Sequence, residues 1–230
     1  MSRLSVARGK LALWRRREKY RLGRYRWFRD RSKRKNRVEL RRKWWRLLDQ
    51  SRDRIDFWEA RVKQLDVPSP RQQAVQWALA QVGTKERPAG SNGGPKISGW
   101  QEAFGFGRVP WCGIFVGQAL LHAAVKGVTS RIASVSLIEQ DAKAHRGPFR
   151  GWTTDHAVVL PGDLVVLFGQ GVHVEMVVRT FDDGSVETVG GNTSEGDGSQ
   201  DNGGQVAHRS GTTRRKASDV RGFALVRYGK

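Results

Sequence analysis

The chain has 230 residues, a formal net charge of +20 and one cysteine, Cys112. That length holds one ordinary domain with an appendage, or two small domains, and it buries a core without covalent staples. The lone thiol excludes an internal disulfide framework, and no apolar run approaches the length of a membrane span.

Residues 1–66 hold 24 of the 42 Lys+Arg side chains but only 8 of the 22 Asp+Glu, so most of the net charge lies there. The segment contains no proline. Trp44, Leu48, Ser51, Ile55, Trp58, Val62 and Leu65 follow alternating steps of four and three, a heptad seam with one polar exception. This predicts a helix over about 38–66. Leu4, Ala7, Leu11 and Trp14 start a similar stripe, which Glu18 and Arg21 interrupt and Tyr25 and Phe28 resume. The basic patch 31–36 is a place where two helices would join. The expected element is a long helix or a helical hairpin with an aromatic seam and a cationic face. Such a face is drawn to polyanions: wall polymers, anionic lipid or nucleic acid, with nucleic acid ranked last. The seam serves a membrane surface or a second helix equally well. Leu11–Trp14 is too short for the apolar part of a secretory signal, so the chain is expected to stay in the cytoplasm in which it is made, until released.

Residues 67–70, Val-Pro-Ser-Pro, form the expected linker, and 71–230 the expected second domain. Ser69 suits a helix N-cap and Pro70 the first helical turn, ahead of a helix to about residue 82. A Gly- and Pro-rich loop spans 83–94, with a short helix expected near 97–104. Trp111-Cys112-Gly113-Ile114-Phe115-Val116 opens a second apolar helix that should end near 126. Residues 128–160 carry no clear pattern. From Pro161 the pattern is that of strands: 163–168, then 172–180 and 185–189 across an Asp182-Asp183-Gly184 turn, then 205–209 and 223–228. The loop 193–204 between them includes an acidic stretch, 195–201, that reads as solvated. Helices followed by an antiparallel meander indicate an α+β fold.

Cys112 stands at a helix start, where unpaired N–H groups and the helix dipole favour a thiolate. His173 opens a strand 61 residues later and is the candidate base. A Cys on a helix and a His on a strand need a third group to orient the ring. Asn192 can accept from the second ring nitrogen, and Glu187 is the competitor. The two are five apart and would face opposite ways in a regular strand. Asp163 reads as a turn or strand-start residue, and His122, His145, His156 and His208 as structural or solvated. The spacing of Cys and His provides no zinc site, and neither metal nor cofactor is expected.

The stretches Glu86–Asn92, Pro110–Val116, Pro161–Val165, His173–Val177 and Gly191–Ser194, in this order, resemble the CHAP family of cysteine- and histidine-dependent amidohydrolases and peptidases, over roughly 70–228. The resemblance implies a papain-like α+β fold and hydrolysis of a peptidoglycan amide. It places the nucleophile on Cys112, the base on His173 and the orienting role near Asn192. Asn92, Trp111 and Glu175 are candidate substrate contacts, with Asn92 also a candidate oxyanion donor. Many members of the family carry Glu two residues before the Asn. Here that position is Gly190, so the third member is Asn192 alone or with Glu175 or Glu187. The expected function is that of a phage-type endolysin released onto the bacterial wall. Alternatives are a virion-associated or host wall hydrolase docked through residues 1–66, and an inactive fold serving a basic binding or assembly arm.

Overall fold

The computed structural model describes residues 2–30, 36–168, 173–194 and 203–229. The expected joint at 31–35 and the acidic stretch 195–201 lie outside them. The chain divides into two compact units, Met1–Val67 and Pro68–Lys230.

The first unit is a pair of helices, α1 (Arg3–Asp30) and α2 (Arg37–Leu65). Arg8 pairs with Asp66, Arg15 with Glu59 and Tyr25 with Trp45, so the start of one helix meets the end of the other and the pair is antiparallel. Ala7, Phe28, Leu48 and Ile55 are buried between them. The polar exceptions in the two stripes meet there too. Arg21 donates to Ser51 Oγ at 2.8 Å and to the Leu47 carbonyl, and Arg52 reaches Glu18 at 3.4 Å. A polar layer of this kind fixes register at some cost in stability.

In the second unit, α3 (Pro70–Ala80) starts with Ser69 as a capping box: Gln72 N–H donates to Ser69 Oγ, and Ser69 N–H to Gln72 Oε1 at 2.8 Å. A short helix, α4 (Pro95–Glu102), precedes α5 (Cys112–His122), which ends earlier than its apolar composition suggests. Every residue of α5 from Cys112 to Leu120 is buried, as its unbroken apolar run requires of a central helix. The unpatterned stretch 128–160 contains α6 (Val135–Lys143) and β1 (Phe149–Thr153). The remaining strands are β2 (Leu164–Leu167), β3 (His173–Thr180), β4 (Val186–Thr193), β5 (Gln205–Arg209) and β6 (Val220–Val226).

The six strands form one antiparallel sheet in the order β1-β6-β2-β3-β4-β5. The expected meander is thus broken by β6, which enters between β1 and β2. Alternate residues of β2 serve two apolar clusters. Leu164 and Val166 join the α5 side, and Val165 and Leu167 the other, so the strand reads as a continuous apolar run. Asp163, fully buried, accepts from Val226 N–H, Leu160 N–H and Arg71, and so is a structural latch at the head of β2. The architecture is α+β. Among the described residues no helix is long and apolar enough to cross a membrane.

Candidate active site

Cys112 is the first residue of α5, so its backbone N–H has no acceptor within the helix. His173 is the first residue of β3, and its ring is close enough to Cys112 to act on the ionisation of the thiol. Both are buried, at 6% and 2% exposure. Burial pushes the thiol up, but the hydrogen bond and charge of His173, with the backbone N–H groups of Val174 and Gly113, bring it below its ordinary value. Burial likewise pushes the imidazole down, and its bonds to Cys112 and Glu175 more than offset this, raising it to about 9. Both shifts act in the direction of a thiolate beside an imidazolium.

The carboxylate facing the ring is that of Glu175. Its Oε1 lies 3.3 Å from His173 Nε2. That is ion-pair range, although Nε2 is off the line of a straight hydrogen bond. Strand alternation explains the pairing: His173, Glu175 and Val177 share one face of β3, while Val174 and Met176 face the α5 side. As the end residue of its strand, His173 is within reach of the helix from one side and of Glu175 from the other. Glu175 is fully buried, which would push its carboxyl up. Arg215 and His173 instead hold it well below the usual carboxylate range. Arg215 donates Nε to Glu175 Oε2 at 2.9 Å and Nη2 to Oε1, and Thr188 Oγ1 also donates to Oε2. In their ionised forms Arg215, Glu175, His173 and Cys112 alternate in charge and sum to zero, the arrangement that makes burial of such groups tolerable.

Gly190 lies against Glu175. A Cβ there would lie 2.6 Å from Glu175 Cγ and 2.9 Å from its Oε1. The space above Gly190 is filled by a carboxylate from the neighbouring strand.

Three expectations change as a result. Glu175 is fully buried with both oxygens engaged, so it faces His173 and is not placed to contact substrate. Glu187 is absent from the site, since it pairs with His208 Nε2 at 2.8 Å. Trp111 does not line a groove. It is fully buried, and its indole N–H donates to the buried Glu86 at 2.8 Å. That bond ties the residue before the nucleophile to the 83–94 loop.

Asn192 is 2% exposed, has φ 55° and sits where the β4–β5 register slips between Gly190 and Thr193. The bulge removes the strict alternation that set it against Glu187. Continuing the Met176–Val189 register of β3 and β4 sets Asn192 beside His173. Its Oδ1 is buried and has no hydrogen-bond partner among the described residues. Glu175 is the group in ion-pair range of the ring, and Asn192 Oδ1 makes no hydrogen bond to it. Asn92 is half-buried with φ 49°, and it is held by its carbonyl, which accepts from Gln101 Nε2 at 2.9 Å. The same amide donates to the Val109 carbonyl, joining the Asn92 loop to the segment leading into Cys112.

Sequence reasoning missed Arg215, Thr188 and Gln101. Arg215 lies 40 residues beyond Glu175 in a stretch with no pattern, and nothing in the sequence marks it. A scan against family models found no match, and neither the curated proteins nor the solved structures contain a significant match to this chain.

Proposed function

We propose that the second unit is a papain-like cysteine amidohydrolase that cuts an amide bond of bacterial wall peptide, in the manner of a phage endolysin. The observation that carries the reading is the buried Cys112–His173–Glu175 series, with the thiol at the start of a helix and its ionised form favoured. The order of CHAP-like motifs adds the substrate class.

The thiolate attacks the carbonyl carbon and forms a C–S bond. The oxyanion is received by the Cys112 backbone N–H at the helix start, a donor the geometry supplies without rearrangement. His173 gives its proton to the departing amine as the C–N bond breaks. The neutral ring then takes a proton from water, whose oxygen attacks the thioester and releases the acid. Glu175 keeps the ring in place and favours its charged form. The basic helices of the first unit draw the protein to anionic wall polymers.

The test is mass spectrometry of peptidoglycan treated with wild type and with Cys112→Ala. New amine and carboxyl ends with wild type alone are the expected result, and they identify the bond. Walls of several chemotypes left intact by wild type would remove the reading and leave the basic helices as the functional part.

A further inference from the structure

The Glu175 carboxylate is held more firmly by Arg215 than by the histidine it faces. Arg215 grips both oxygens with a two-pronged guanidinium and is itself only 6% exposed. Its Nη2 also lies 3.4 Å from Thr193 Oγ1. Its backbone is fixed independently: Arg215 and Val186 exchange N–H···O bonds, both 2.9 Å, in an isolated bridge to β4. The side chain is anchored at its root and bound at its tip, with Glu175 between it and His173.

We propose that Arg215 is a positioning residue for the Cys112–His173 pair, acting by holding the Glu175 carboxylate ionised and in place against the imidazole. The inference rests on reading Cys112 and His173 as nucleophile and base. Glu175 is fully buried, and a carboxylate without a cation in such a place takes up a proton. It then no longer attracts the imidazolium, and the imidazolium no longer favours the thiolate. Lysine would replace the charge but not the fork that matches both oxygens.

The test is the rate of Cys112 alkylation by iodoacetamide against pH, in the full-length protein. It needs no substrate, and Cys112 is the only thiol. The wild type should titrate with a midpoint below that of an ordinary thiol. Arg215→Met should raise the midpoint, and once the midpoint lies above neutral pH each further unit should cut the thiolate present there about tenfold. Arg215→Lys should fall between. The double variant Arg215→Met/Glu175→Gln removes both partners and leaves no buried unpaired charge, so it folds even where the single variant does not. Its midpoint should rise as far as that of Arg215→Met, because Arg215 acts through Glu175. A folded variant, single or double, with the wild-type midpoint would show that Arg215 only supports the fold and would overturn the proposal. A wild type that titrates as an ordinary thiol would instead remove the nucleophile–base pair, and the proposal with it.

Discussion

Two adjacent glycines in β4 serve different neighbours. Gly190 leaves room for Glu175, and a Cβ at Gly191 would come within 2.5 Å of the Trp111 ring and 2.6 Å of Phe115 Cβ, so it sets how closely α5 approaches the sheet. Gly190→Ala must displace the carboxylate that orients His173. The expected loss is about 1–3 kcal/mol of stability with a larger proportional fall in hydrolysis, checked by thermal melting beside a rate measurement. The ionised groups also define a pH window. His173 is raised, so its contribution is complete below its ordinary value of 6.5 and is lost as pH rises through about 9. Cys112 is lowered, so its thiolate persists below the ordinary thiol value and is lost as pH falls through the folded value. Hydrolysis should therefore rise on an acid limb set by Cys112 and decline near pH 9, where His173 no longer has a proton for the leaving amine. A kcat/KM profile over that range tests it, and a plateau continuing well above about pH 9 would count against His173 as the acid.

Apart from α6, which lies in the unpatterned stretch 128–160, the helices were legible as elements because their apolar positions recur at helical spacing and because Ser69 and Pro70 mark a start. The polar exceptions were visible as interruptions, but their meaning depended on the pairing of the helices, which sets Arg21 against Ser51. This gives a prediction at the same scale. Ser51→Ala leaves one fewer acceptor for Arg21 and should destabilise the hairpin by about 1 kcal/mol, whereas Arg21→Leu with Ser51→Leu should stabilise it. Helical circular dichroism of the full chain during thermal unfolding reads both. The strands were located to within a few residues where apolar runs met turn residues. β1 was not, because its five residues, Phe149–Thr153, include Arg150 and Gly151 and show no clean alternation. The place of β6 was also hidden, since strand order is a matter of long-range pairing that no local pattern records.

At the scale of the whole molecule, the division of charge and the division of structure coincide. The surplus of Lys and Arg lies within the first compact unit, and the second holds the Cys–His pair with a nearly balanced surface. What the sequence determined by itself was where the surplus charge lies, the helical nature of residues 3–30 and 37–65, and the α+β class of the rest. Each of these depends on composition or on spacing within one element. Only the tertiary structure brought the partners of His173 together. Glu175 faces the ring because strand alternation turns it to the His173 side, Gly190 on the next strand leaves space for it, and Arg215, far along the chain, neutralises it. The stability of a buried charge depends on which partners the fold brings to it, and those partners are distant in sequence.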